Sequence, residues 1–413
     1  VKTVAKILMV LVLLSGTAVA FCSAAAEEED TRTFVDDVGR EITLPVTIDA
    51  VSPSGPLAQI VLYSLDQDLF VSVSSEFTGA QAKYIDPRLL TLPVTGQFYG
   101  SKASTMNPES IMELNKQLNI DVVLDIGEAK QTMKADLDDM QAKTGVVFAF
   151  VTQNKLEDIP ASYVKLGELL SRPERGQELS DYVSALLAEF DSGMKEIGDD
   201  KKSLIYVTAV DGNSVSMIGE GSYHAEVIDY VGNNLAKPAT TSSGTGDGYT
   251  MEDILQMNPD YVIVGYVDGH AYYNKIMSDP MWQSLSAVRN GNVYEAPYGP
   301  YSWMGGPPSI QRLLSMIWLG NLMYPDVFDY NIDDRVKEFY SLFFRYDLTD
   351  AELNDLMVYA KPAPASAPTG AAAAAQTSAA TQATATTEAP APLFGVLAGL
   401  AAAAAVAGRG RNR

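Results

Sequence analysis

The chain has 413 residues, 47% hydrophobic and 20% charged, a globular composition with length enough for two domains. A formal net charge of -23 repels nucleic acid and anionic head groups, so no nucleic-acid partner is expected. Cys22 stands alone, which excludes an internal disulfide, and two histidines, His224 and His270, are too few for the usual zinc or manganese site.

Residues 1–26 read as a secretory signal: Lys2 and Lys6, the apolar run "ILMVLVLLSGTAVA", then small residues in "SAAA". The run is short for a membrane-spanning anchor. Cys22 invites a lipoprotein reading, but Phe21 stands where such signals carry a small residue. Beyond residue 30 the pattern turns α/β. "REITLP" and "IDAVS" read as strands, "PLAQIVLYSLDQ" as a helix and "LFVSVS" as a further strand, followed by a loop-rich stretch.

"NPESIMELNKQLNIDVVLDIG" then predicts a helix from about Pro108 and a buried strand over Asp121 to Ile126. The same text recurs as "TMEDILQMNPDYVIVGYVDG". Glu109 falls on Glu252, Ile111 on Ile254, Leu114 on Met257 and Asn115 on Asn258. After a four-residue offset, "DVVL" falls on "DYVI". Between the copies, "KQTMKADLDDMQAKTG" predicts a helix ending at Gly145, and "VVFAFV" a strand. Then comes one long helix. Ser171 and Glu174 suggest a capping box around Pro173. Leu179, Tyr182, Val183, Leu186, Leu187, Phe190, Met194 and Ile197 fall on one apolar stripe, and Gly198 ends it. About 25 residues give roughly 37 Å of helix. After it the strand–helix alternation restarts with "SLIYVTAV", "GSYHAEVIDYVG", the second repeat copy, "HAYYNKIMSD" and "GNVYEA". It closes with "PPSIQRLLSMIWLGNLMYP", "DDRVKEFYSLFFRY" and "TDAELNDLMVYA".

The expected fold class is α/β: two lobes with mostly parallel sheets, joined by one long rigid helix, with a ligand cleft between them. The expected divisions are a signal (1–26), an N-terminal lobe (31–155), a helical segment with the linking helix (156–198) and a C-terminal lobe (199–358). A low-complexity Ala/Thr/Pro stalk (359–392) and a hydrophobic anchor with a basic tail (393–413) follow. The tail resembles that of archaeal surface proteins with a stalk and a C-terminal anchor or sorting signal. The Pro-Gly-Phe sorting triplet is absent, and "PLFG" stands in its place.

Five motifs in this order resemble the helix-linked substrate-binding proteins of ABC importers for ferric siderophores, haem and cobalamin: "VDDVGREITLP", "NPESIMELNKQLNIDVVL", "LGELLSRPERGQELSDYV", "YTMEDILQMNPDYVIV" and "PPSIQRLLSMIWLGNLMYP". The resemblance covers roughly Thr33 to Phe328. It implies a tethered, extracytoplasmic monomer that captures a metal chelate and hands it to a permease dimer with ATPase subunits. It implies no resident cofactor, the metal arriving inside its chelate. It also implies that Glu109 and Glu252 dock into arginine pockets on the permease. A carboxylate in the first turn of a helix suits that role, because the helix dipole favours it and arginine can hold it bidentately.

The ligand is expected between the lobes, at loops beyond the C-terminal ends of strands. Candidate contacts are Ser52, Ser54, Phe98 and Tyr99 from the first lobe. The second lobe offers Tyr223, His224, Tyr266, Tyr298, Tyr301 and Trp303. Loop tyrosines and tryptophan suit a large, flat or greasy ligand with a polar rim, although Tyr298, Tyr301 and Trp303 are equally suited to packing under their loop. Tyr223 beside His224 offers two iron-binding atom types, yet a lone histidine is more often a capping residue, so no metal site is assigned. The candidate loops hold almost no Arg or Lys, which leans away from citrate-like anions. No nucleophile elbow, Walker loop or paired-His motif is present, so no enzymatic activity is expected. A surface sensor built on the same lobes is the competing class.

Overall fold

The computed structural model describes residues 30–98, 105–240 and 246–362. The expected signal and anchor segments and the stalk beyond residue 362 lie outside them, as does Tyr99. The first residues assigned to the stalk pack on the second lobe instead, where the Ala360 carbonyl accepts from Trp318 Nε1 at 2.7 Å. Among the described residues no helix is long and apolar enough to cross a membrane.

The first lobe begins with an antiparallel pair, β1 (Thr31–Val35) and β2 (Glu41–Pro45). Its sheet is built from β3 (Val51–Pro53), α1 (Pro56–Leu65), α2 (Pro108–Leu118), β4 (Val122–Gly127), α3 (Met133–Thr144) and β5 (Phe148–Thr152). The three strands run parallel in the order β3-β4-β5. β4 is buried on both faces, as an apolar run between helices should be. The stretch "LFVSVS" forms only isolated bridges, Val51 with Phe70 and Val73 with Val94. Its backbone changes partner along the stretch: Val71 N donates to the Val51 carbonyl at 3.1 Å and Val73 N to that of Pro93 at 2.9 Å, while Ser74 donates from both N and Oγ to Gln59 Oε1.

α4 (Ile159–Leu169) turns at once into the linking helix α5 (Pro173–Ile197). The capping box expected at Ser171 and Glu174 does not form. The two helices cross so closely that a Cβ on Gly176 would stand 2.4 Å from the Tyr163 carbonyl oxygen. That tight turn puts Ser171 at φ 56 and sends its hydroxyl to the Val46 carbonyl at 2.8 Å. Leu179, Val183, Leu186, Phe190 and Met194 are buried as the stripe predicts, while Tyr182, Leu187 and Ile197 are half-buried at its edges. Gly198, with φ 56, ends the helix.

The second lobe holds β6 (Ser203–Asp211), β7 (Ser214–Met217), α6 (Glu226–Val231), β8 (Asn233–Asn234), β9 (Asp247–Thr250), α7 (Met251–Met257), β10 (Tyr261–Val264), α8 (Ala271–Ser278) and β11 (Val293–Glu295). Its strand order is β11-β10-β6-β7-β9, with β8 also on β6. β11, β10, β6 and β8 are parallel, and the hairpin strand β7 and its neighbour β9 add two antiparallel pairings.

The chain closes with α9 (Arg312–Met323), α10 (Ile332–Phe339), a π-turn over Tyr340–Phe344 and α11 (Asp350–Leu356). This closing segment returns to the first lobe. Gln67 Nε2 donates to the Phe344 carbonyl at 2.9 Å, Arg345 donates to that of Leu65 at 3.1 Å, and Tyr84 meets Tyr340 edge-on at 5.7 Å. One apolar core therefore runs from the first sheet through α4, α5 and α9 into the closing helices. Aromatic packing of this kind limits how far the lobes can part without losing buried area.

Candidate functional site

The two repeat copies hold equivalent places. β4 pairs with β3, and β10 with β6, both parallel. Asp121 Oδ2 accepts from the N–H groups of Asp49 and Ala50, at 2.8 and 2.9 Å. Asp260 Oδ2 accepts from Ser203 N and Oγ, at 2.9 and 2.7 Å. Each aspartate thus pins the start of the neighbouring strand. Glu109 and Glu252 are exposed in the first turns of α2 and α7. Asn107 accepts from Glu109 N at 2.9 Å, and Thr250 with Asp253 forms a capping box.

The strand ends of both lobes converge on three cavities. The first, about 200 Å³, takes Lys83 and Tyr84 from the first lobe and Tyr266, His270, Glu295 and Tyr298 from the second. Tyr266 and Tyr298 stack at 5.1 Å. His270 Nδ1 lies 2.5 Å from Glu295 Oε2. Burial raises the Glu295 carboxyl, and the histidine opposes that rise.

The second cavity, about 170 Å³, lies beyond the ends of β4 and β5. Leu57, Phe98, Met133 and Phe150 wall it, Asp125 lies in its lining, and Tyr223 closes it from the other lobe. Ser54 Oγ donates to Asp125 Oδ1 at 2.5 Å. Asp125 Oδ2 is buried without a partner. Burial pushes this carboxyl up to about 7, against the downward pull of Ser54, the Ile126 N–H and Lys130.

The third cavity is the largest, about 740 Å³, and shares Glu128, Asn154 and Tyr223 with the second. It runs back to Leu187 and Asp191 on the linking helix. Beneath it the lobes are tied together. Glu226 accepts from Leu156 N at 2.9 Å and from the buried Arg312, whose guanidinium also lies 5.5 Å from the Tyr223 ring.

Of the candidate contacts, Phe98, Tyr223, Tyr266 and Tyr298 line these cavities. Ser54 stands behind Asp125. Ser52 is fully buried on Ser72, away from any cavity. His224 Nδ1 is engaged by the carbonyl of Gly305, a turn residue, at 3.1 Å. Tyr301 and Trp303 pack under their loop: both are buried, and Trp303 meets Trp318 edge-on at 6.4 Å. A loop tryptophan reads as exposed only when the helix beneath it is ignored. Among the described residues no cluster of three or more His, Cys, Asp or Glu is arranged to hold a bare metal ion. Sequence reasoning missed Lys83, Tyr84, Asp125 and Glu295. Asp125 was legible in principle, as the one charged residue within the apolar run "VVLDIG".

Residues 121–298 match the family model described as periplasmic binding protein. The Fe(3+)-citrate-binding protein YfmC of Bacillus subtilis is 21% identical over 135 residues, 33% of this chain and 41% of that relative. The chain therefore spans less than half the length of this curated relative. Among solved structures, an ABC transporter solute binding protein from Sulfurospirillum deleyianum is 25% identical with TM-score 0.69, covering 79% of this chain and 99% of the other. The molybdate periplasmic binding protein MolA of Haemophilus influenzae is 20% identical with TM-score 0.58, covering 77% and 99%. The two-lobed architecture is thus that of periplasmic solute-binding proteins, while the ligands named in these descriptions differ.

Proposed function

We propose that this chain, a two-lobed periplasmic solute-binding protein by fold, captures an iron chelate of siderophore type outside the membrane and delivers it to an ABC importer. The observation that carries the reading is the set of cavities between the lobes: aromatic rings from both lobes wall the two smaller ones, and Tyr223 and Tyr230 line the largest. A chelate is large, with greasy arms and polar edges, and such walls suit it. No bond is made or broken. Binding draws the lobes together by a small angle, because the linking helix and the returning closing segment hold them at the back. Glu109 and Glu252, one on each lobe, then present two carboxylates to arginine-bearing permease subunits. Tethering through the terminal segments belongs to the same proposal.

The test is a fluorescence titration of the purified chain with ferric siderophores of several classes, ferric citrate, molybdate, haemin and cobalamin. Saturable quenching by a ferric siderophore at about micromolar concentration or below is the expected result. Preference for haemin or cobalamin would move the ligand class within the same receptor type. Binding of molybdate alone would overturn the chelate reading. A receptor that binds a chelate yet supports no uptake would point to sensing.

A further inference from the structure

The parallel cores of the two lobes share one pairing order, with the repeat strand in the middle of each. Strands β3-β4-β5 of the first lobe correspond to β6-β10-β11 of the second. Matching Asp121 to Asp260 carries Asp125 onto Val264. Pairing across the sheets then carries Ser54 onto Val207, which is the partner of Val264. Val207 and Val264 are both fully buried and apolar. The fold therefore accepts two valines at this place, and in the first lobe it carries a serine–carboxyl pair instead.

That pair costs stability. Asp125 is 5% exposed, and its Oδ2 has no hydrogen-bond partner. A buried acceptor left without a partner is destabilising, because it loses its hydration and gains no hydrogen bond in return. Nothing in the lobe's architecture requires it, since the equivalent place in the other lobe does without. What distinguishes the place is the cavity beside it, with apolar walls and Asp125 in its lining.

We propose that Asp125, positioned by Ser54, is a ligand subsite that takes a protonated primary amine at the tip of an aliphatic arm. This rests on the reading of the cleft as a chelate site and narrows it to cationic chelates. Acidic groups outnumber cations in both cavities: Asp125 and Glu128 stand with Lys130 in the second, and Glu128, Glu157, Asp191 and Asp229 stand against Lys155 in the large neighbouring one, where Glu226 is already paired with Arg312. A volume of about 170 Å³ admits an alkylammonium arm and not a whole chelate. Leu57, Met133, Phe98 and Phe150 would cover the methylenes, and Oδ2 would accept from the ammonium. A carboxyl that is half neutral near pH 7 ionises fully when a cation arrives, which spares the empty protein a buried charge.

The experiment uses a ferric linear trihydroxamate ending in a free primary ammonium, and the same chelate N-acetylated. Wild type is expected to bind the ammonium form about tenfold more tightly or better. Asp125→Val, the residue the other lobe uses, should abolish that preference. Ser54→Ala, which keeps the carboxyl, should weaken the preference. Equal affinity for the two chelates in wild type, or a preference that survives Asp125→Val, overturns the subsite. If neither chelate binds, the chelate reading fails, and n-butylammonium chloride decides the subsite by itself. A saturable shift of the Asp125 carboxyl 13C resonance would uphold it, and no shift up to about 100 mM would overturn it.

Discussion

The two copies of the repeat differ where they need not be alike. α2 has 11 residues and α7 has 7, one helical turn fewer. That turn accounts for the four-residue offset between the sequences. The cap in the left-handed region is Asn119 in one copy and Asn258 in the other, at φ 54 and φ 40. Asn258 therefore corresponds in role to Asn119, not to Asn115 as the ungapped alignment suggests. Asn115 instead accepts from Ile120 N at 2.7 Å. The helix start, the left-handed asparagine and the strand-pinning aspartate are shared by both lobes. What differs is the helix length and the buried end of the strand, which carries Asp125 in one lobe and Val264 in the other. The shared parts serve the lobe and its outer surface, and the differing part faces the cleft.

The largest effect should come from breaking the shared outer feature. Charge reversal at both sites, Glu109→Lys with Glu252→Lys, is expected to lower uptake about a hundredfold or more. Ligand affinity should stay within about twofold, since both residues are exposed and neither lines the three cavities. Single reversals should fall between. Uptake that survives the double change sinks the docking assignment.

The differing feature has a pH signature. Asp125 sits at about 7 in the fold, against an ordinary value of 3.8. Between these values the folded protein holds a proton that the unfolded chain has released. Stability therefore falls as pH rises through that window and levels off above it. Three units correspond to up to ~4 kcal/mol. Asp125→Val should remove this fall, so the variant gains on wild type from pH 4 to pH 8 in urea unfolding. Parallel pH profiles for the two proteins would mean that the carboxyl stays solvated.

Much of this architecture was legible in the sequence because periodicity and repetition report scaffold. The stripe on α5, the end at Gly198 and both repeat strands follow from spacing alone. The ligand contacts were legible only in part. Tyr266, Tyr298, Phe98 and Tyr223 reach cavities, while Tyr301 and Trp303 look identical in composition and lie inward. Nothing in a loop's residue types says which side faces the helix beneath it. Ser171 failed for a related reason, since the close crossing at Gly176 overrode a local capping signal.

The strand pins offer a smaller test of equivalence. Asp121→Ala and Asp260→Ala each remove a carboxylate that satisfies two donors. Each should cost about 1–3 kcal/mol in denaturant unfolding. Asp121→Ala should cost more, because it leaves two backbone N–H groups unmatched and Asp260→Ala leaves only one, the other being a rotatable hydroxyl. A cost on one side only would show that the lobes are pinned differently despite their common text.

The smallest effect separates the two caps. An L-residue in the left-handed region pays about 1 kcal/mol that glycine does not. Asn119 caps with its backbone N–H, which donates to the Asn115 carbonyl at 2.8 Å. Asn119→Gly should therefore be neutral or stabilising by up to ~1 kcal/mol. Asn258 has further work for its side chain. Its Nδ2 donates to Ser286 Oγ, and its Oδ1 accepts from Ser286 N, both at 3.0 Å. Those bonds tie the end of the second repeat helix to the segment before β11. Asn258→Gly should lose them and come out destabilised by about 1 kcal/mol. Opposite signs in thermal unfolding would mean that the same left-handed turn is kept in one lobe for its backbone and in the other for its side chain. Equal signs would mean that the Ser286 contacts contribute nothing net and that the two turns are equivalent after all.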